Sequence, residues 1–218
     1  MITLDEDTSK HIISVLRMQK GEEVLLTDGR GKKARAFISD DNRKKCVVEI
    51  SALEIVQEKS KKIAIGISLI KNVARFEWFL EKATEIGVSE IVPLICARTE
   101  KEKFRYDRMH NILISAMLQS QQSQLPFLHQ ATEFDKAVRL PYEDKFIAHC
   151  EDFKQQSLPS QHRNHSKSQL ILIGPEGDFT HDEIELALRN NFASASLGST
   201  RLRTETAGIV AATLLCIR

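Results

Sequence analysis

Apolar and polar positions change rhythm near residue 60. Before it, "EVLLTDG", "KKARAFISDD" and "KKCVVEISALEI" read as short β runs, divided by turn signals at Asp28-Gly29 and Asp40-Asp41-Asn42. Ahead of them "SKHIISVLRM" spaces His11, Ile12, Val15 and Leu16 as a helix does. From Lys62 onward, apolar runs alternate with longer amphipathic ones. "KIAIGISLI" predicts a buried strand, and "ARFEWFLEKATEIG" predicts a helix with Phe76, Phe79, Leu80, Ala83 and Ile86 on one face and Gly87 as its C-cap. Further strands are predicted at "EIVPLICA", "KFIAHC", "QLILIG" and "ASASLG", and further helices at "RYDRMHNILISAMLQSQ", "EFDKAVR", "HDEIELALRNN" and the C-terminal end. Such β/α alternation predicts a mostly parallel sheet covered by helices.

Two domains are therefore expected, residues 1–60 and 61–218, with the polar "EIVQEKSKK" at the boundary. Residues 152 to 169, "DFKQQSLPSQHRNHSKSQ", read as loop; His162 and His165 there have no Cys or carboxylate at ligand spacing and are read as solvated. Composition narrows the function. With 28% charged residues and a net charge of +1, the chain has no global pull towards nucleic acid or membrane, so a polyanion site must come from local clustering. Cys46, Cys96, Cys150 and Cys216 are widely spaced, which argues against structural zinc or a disulfide framework and predicts a reducing, cytoplasmic setting. No apolar run reaches the roughly 20 residues needed to span a bilayer, so no membrane is expected.

Three stretches could carry chemistry. "GRGKKA" matches a dinucleotide fingerprint in letters, but the chain continues as alternating "ARAFIS" rather than a helix, so Gly29-Arg30-Gly31 reads as a hairpin turn. Arg30, Lys32, Lys33 and Arg35 around it, joined by Arg43, Lys44 and Lys45, form either a phosphate-facing patch or solvated hairpin charges. In "LILIGPEGDFTHDEIELAL" a buried strand stops at Gly174-Pro175-Glu176-Gly177, and Thr180 with Glu183 makes a capping box for the next helix. "LGSTRLRTETAG" repeats the plan of strand, glycine, polar loop and helix. If residues 201 to 205 are extended, Arg201, Arg203 and Glu205 share one side, and Thr204 or Thr206 caps the last helix. Glycine loops at the C-terminal ends of parallel strands are where open α/β sheets bind ligands; the alternatives are a plain turn, and caps plus an Arg-Glu pair.

The pair "LIGPEGDF" and "LGSTRLRTETAG", with "SKHIISVLRMQKGE" and "EWFLEKATEIGVSEIVPL", resembles the RsmE family of 16S rRNA uridine-N3 methyltransferases in the SPOUT superfamily, along nearly the whole chain. The resemblance implies a small β-rich PUA-like N-terminal domain for RNA, lacking its usual first strand here, and an α/β domain with a trefoil knot. It further implies S-adenosylmethionine as the cofactor without a metal, a homodimer, and 16S rRNA or the assembled small subunit as partner. Carried over by position, His149, Gly174, Pro175, Glu176, Gly177, Leu197, Gly198 and Leu202 would hold the cofactor, with the "HCE" turn of residues 149–151 as a third wall. Arg203 and Glu205 would be catalytic, and Arg30, Lys32, Lys33, Arg35 and Arg201 would meet RNA. The chain departs from the family at Asp178 and Thr200, where glycine and arginine are usual, and at Leu118 and Gln122 in the helix that keeps Gln119. Other activities of the superfamily, ribose 2'-O or tRNA base methylation, and a non-catalytic RNA-binding role are the rival readings.

Overall fold

The structure is a computed structural model that describes residues 1–57, 60–100, 102–150, 156–158 and 166–217. Its contacts divide into two compact units, Met1–Glu58 with Gln121–Gln124, and Lys59–Ser120 with Leu125–Arg218.

The first unit is an antiparallel sheet in the order β1-β4-β3-β2, formed by β1 (Ile2–Thr3), β2 (Glu23–Thr27), β3 (Lys32–Asp40) and β4 (Val47–Ile55). Period-two alternation sends Ala36, Ile38 and Val48 inward, against Ile12, Val24 and Cys46. At the start of the sheet, Ile2 and Thr3 pair with Val48 and Val47. Two residues are too few to give a periodic signal. The predicted helix near the start is α1 (Glu6–Lys10), capped by Asp5, and it runs on into a π-helical turn at His11–Val15. That turn buries Ile12 but leaves Val15 and Leu16 exposed. The hairpin reading of Gly29-Arg30-Gly31 holds. Both glycines have positive φ, and Asp28 Oδ1 accepts from the Arg30 and Lys32 amides at 2.8 and 3.0 Å.

The second unit is a parallel sheet with eight strands among the described residues, in the order β10-β12-β9-β11-β5-β6-β7, with β8 also on β6. They are β5 (Lys62–Ser68), β6 (Glu90–Ile95), β7 (Phe127–Leu128), β8 (Thr132–Glu133), β9 (Asp144–Ala148), β10 (Gln156–Ser157), β11 (Ser168–Ile173) and β12 (Ala193–Ser196). The helices are α2 (Val73–Ile86), α3 (Tyr106–Gln119), α4 (Phe134–Ala137), α5 (His181–Arg189) and α6 (Thr204–Cys216). Alternate residues of the central strands serve opposite faces. Ile65, Ile67, Ile171 and Ile173 pack with α2, α3 and α6, while Ala64, Leu170 and Leu172 pack with α4 and α5. Both faces are therefore covered, which is why these strands read as continuous apolar runs.

Two readings need adjustment. The stretch expected to be loop contains β10, paired in parallel with β12, and a buried Leu158; His162 and His165 lie outside the described residues. "EFDKAVR" forms only the single turn α4. Gly87 does cap α2, with φ 95° and its amide bonded to the Ala83 and Thr84 carbonyls. No helix among the described residues is long and apolar enough to cross a membrane.

The last helix is held unusually close to α2. A Cβ built on Gly208 would lie 2.6 Å from Phe79 Cε2 and 3.0 Å from Ile67 Cδ1, both fully buried. We expect Gly208→Ala to destabilise the fold by about 1–3 kcal/mol through overpacking, although alanine raises helix propensity; urea denaturation, read as a lower midpoint at constant slope, checks this.

Candidate active site

Three neighbouring strands, β12, β9 and β11, end on the same edge of the parallel sheet, and their exits line a cleft of about 1040 Å³. That volume stands at the upper end of the roughly 300–1,000 Å³ usual for small-molecule sites. The β9 exit contributes His149 and Cys150, the β11 exit Gly174, Pro175, Glu176 and Asp178, the β12 exit residues 195–202, and the start of α6 Arg203, Thr204 and Ala207. Of the residues singled out in the sequence, the cleft thus gathers His149, Gly174, Pro175, Glu176, Leu197, Gly198, Leu202, Arg201 and Arg203.

Local chemistry explains the shape of each wall. β11 is buried along its length and ends at Gly174, where a Cβ would crowd the Phe179 ring at 3.1 Å. Phe179 is fully buried, and Asp178 makes the turn into it with a left-handed φ of 64°. The capping box then starts α5: Thr180 Oγ1 accepts from the Glu183 amide, and Glu183 Oε2 accepts from the Thr180 amide at 2.8 Å. The other oxygen of Glu183 accepts from the Ala97 amide at 2.8 Å, joining the loop after β6 to the same corner. At the end of β12, Gly198 has φ 141° and a side chain there would meet no protein atom within 4 Å. His149 is buried, with Nε2 3.0 Å from Ser194 Oγ, which fixes its ring.

The polar residues at the start of α6 divide their duties differently from the extended reading. The helix begins at Thr204, so successive side chains turn by about 100° instead of alternating. Arg203 is the N-cap position and neither threonine caps the helix. Instead, Thr204 Oγ1 donates to the Gly174 carbonyl at 3.0 Å in a buried hydrogen bond, tying the helix to the β11 exit. Glu205 turns inward and is buried. Its Oε1 lies 3.6 Å from Arg75 Nε on α2, so the Arg-Glu pair is made with Arg75, and Oε2 is buried without a hydrogen-bond partner among the described residues. Glu205 does not line the cleft. Arg203 is exposed at the rim, and its guanidinium has no hydrogen-bond or ion-pair partner among the described residues.

Gly177 also stands outside the lining: its carbonyl accepts from Arg98 Nη1 at 2.7 Å, behind the loop. Burial and the charge of Asp178 push the Cys150 thiol up, with Arg201 opposing. Cys96, beneath the loop after β6, is pushed up to about 12, mainly by burial. Neither thiol is poised to act as a nucleophile. No group of His, Cys, Asp and Glu among the described residues could hold a metal. Glu151 of the "HCE" turn lies outside the described residues. Ser194, Arg98 and Arg75 were not found from the sequence; they act through contacts with residues 45, 79 and 130 positions away, for which no local pattern exists.

On the first unit, Arg30, Lys32, Lys33 and Arg35 do not form one face. Lys33 and Arg35 lie on the same side of β3, Lys32 on the other. Lys33 Nζ donates to the Gln121 carbonyl at 2.6 Å, and Arg35 stands 3.9 Å from Glu23 in an exposed pair.

The RNA methyltransferase domain family matches residues 57–216, and the RNA methyltransferase PUA domain family matches residues 4–51. A "Ribosomal RNA small subunit methyltransferase E" of Bacillus subtilis (strain 168) is 28% identical over 92% of this chain and 84% of its own length. The chain belongs to the RsmE family of RNA methyltransferases. A solved structure described as a "probable rRNA-methyltransferase" from Porphyromonas gingivalis is 39% identical, covers 99% of this chain and 94% of that one, and superposes with a TM-score of 0.90. A "Ribosomal RNA small subunit methyltransferase E" from Neisseria gonorrhoeae, bound to S-adenosyl methionine, is 28% identical over 97% and 89% of the two chains, with a TM-score of 0.88. The small antiparallel sheet of this RsmE-family chain is accordingly PUA-like, and its parallel sheet is the methyltransferase domain.

The Thr204 side chain joins the start of α6 to the glycine loop at the β11 exit. Thr204→Val keeps its shape but leaves the Gly174 carbonyl buried without a donor, so we expect a loss of about 1–3 kcal/mol in stability, measured by denaturant melts of the wild type and the variant.

Proposed function

We propose that this protein transfers a methyl group from S-adenosylmethionine to N3 of a uridine in the decoding region of 16S rRNA. The observation that carries the reading is the convergence on one cleft of the two glycine loops and Arg203, whose guanidinium has no partner among the described residues. The cleft suits the cofactor: Gly198 leaves open space at the wall, Glu176 offers a carboxylate to an amino group, and the loop backbones offer amides and carbonyls to an adenine. His149, Gly174, Pro175, Glu176, Leu197, Gly198 and Leu202 are its contacts in this reading, with Gly177 held behind by Arg98.

S-adenosylmethionine supplies a methyl group on a sulfonium, open to in-line attack. The chain's own task is to align the uracil and to meet the charge that develops on its oxygens as the N3 proton leaves. Arg203, at the rim, is assigned to that charge, and Arg201 to a nearby phosphate. Glu205 faces Arg75 rather than the cleft, so in this reading it holds α6 against α2, and water at the open mouth accepts the proton.

The remaining assignments follow the same family. The return of the chain from β12 across the sheet to pack α6 on α2 and β5 supports a trefoil knot. The apolar α6, with Ile209 and Leu214 only partly buried and Ile217 exposed, supports a homodimer. The PUA-like sheet supports RNA binding through Arg30, Lys32, Lys33 and Arg35, on naked 16S rRNA or the assembled small subunit, in the cytoplasm.

Arg203→Ala should lower methylation by at least about a hundredfold while cofactor affinity survives, and the wild-type product should be 3-methyluridine, formed faster as pH rises. Nucleoside chromatography against 2'-O-methyluridine and 5-methyluridine standards, over a pH series, checks both; a ribose- or C5-methylated product overturns the assignment. Replacing Lys32, Lys33 and Arg35 together by alanine should weaken RNA binding and flatten its salt dependence by about 0.7 in log–log slope for each lost phosphate contact. Filter binding from low to high salt measures this, and an unchanged slope returns these residues to solvated hairpin charges.

A further inference from the structure

Asp178 stands where the backbone turns left-handed, with φ 64°, a conformation in which a side chain normally costs stability and glycine costs none. Its carboxylate is engaged on both oxygens. Oδ2 accepts from the Cys150 amide at 2.8 Å, and Oδ1 accepts from its neighbour Phe179's amide at 2.8 Å. Cys150 belongs to the β9 exit and Asp178 to the β11 exit, so one side chain spans two separate walls of the cleft that it also lines. A glycine there would relax the backbone but leave the two walls unjoined at this point.

We infer that Asp178 is a positioning residue, a carboxylate latch that fixes the β9 wall against the β11 loop and so preorganises the cleft for its ligand. The inference rests on the reading of this cleft as an S-adenosylmethionine site. Two amides held by a charged acceptor are among the stronger protein hydrogen bonds, and they bear on backbone that must keep its own groups aimed at the ligand. On the far side of the same loop, Arg98 Nη1 holds the Gly177 carbonyl at 2.7 Å and the Phe179 carbonyl at 3.3 Å. With that side fixed, the β9 wall is the part whose position Asp178 decides.

Three proteins test this: the wild type, Asp178→Asn, which keeps the shape and one acceptor, and Asp178→Gly, which removes the latch and suits the local φ. Amide hydrogen exchange at Cys150 and Phe179 is read by NMR on the free proteins, and S-adenosylmethionine affinity by calorimetry. We expect both amides to exchange about tenfold faster or more in Asp178→Gly and less so in Asp178→Asn, with affinity falling in the same order by about tenfold for glycine. Thermal melts should show the glycine variant folded, since its backbone strain is relieved; if it does not fold, the asparagine variant alone carries the comparison. Unchanged exchange at both amides, or faster exchange with wild-type affinity, overturns the latch. Failure of the wild type itself to bind S-adenosylmethionine would overturn the reading of the cleft instead, and the exchange rates would still judge whether Asp178 joins the two walls.

Discussion

The absence of a side chain at Gly208 sets where α6 lies, and the cleft depends on that. Phe79 and Ile67 fill the space a Cβ would need, so the helix packs backbone-first against α2 and the centre of the sheet. Its first turn is thereby brought over the exit of β11, where Thr204 reaches the Gly174 carbonyl. Arg203 precedes that contact by one residue and is carried to the rim. A helix standing even an ångström further from the sheet would separate the Thr204 hydroxyl from its acceptor, because hydrogen bonds weaken steeply beyond their normal length.

The same economy runs through the walls of the cleft. Backbone groups do the lining, and side chains behind them do the holding: Glu183 on the Ala97 and Thr180 amides, Arg98 on the Gly177 carbonyl, Asp178 on the Cys150 amide. Loops built this way expose amides and carbonyls without collapsing, since each side-chain contact is charge-assisted. The concentration of polar residues in "STRLRTETAG" has the same explanation. Thr204 ties two loops, Glu205 meets Arg75 inside the fold, and Ser199, Thr200 and the two arginines remain at the surface of the cleft.

The PUA-like unit follows a different plan. Its core is small, built on Ile12, Val24, Ala36, Ile38, Cys46 and Val48, and its order comes from antiparallel pairing and tight turns. Lys33 shows how such a surface is shared between structure and ligand. Its ammonium already satisfies the Gln121 carbonyl, and residues 121–124 are also bonded through Ser123 to the Gly31 amide. A basic residue in a turn is therefore not by itself a free charge.

What the sequence by itself determined is whatever repeats over a few residues. The strands β2 to β4 and the faces of α2 came from periods of 2 and 3.6, β5 from its continuous apolar run, the end of α2 from Gly87, and the start of α5 from Thr180 and Glu183, because each depends on residues close by in the chain. Both glycine loops were legible for the same reason, and the matching families agree with the resemblance those loops carry. Only the tertiary structure decided that β9, β11 and β12 would be neighbours, that Gly177 would face Arg98 and Glu205 would face Arg75, and that Asp178 would reach Cys150. Parallel pairing joins strands through crossovers tens of residues long, so the partners of a side chain at a strand end are set by sheet order and helix packing, which leave no trace in local periodicity.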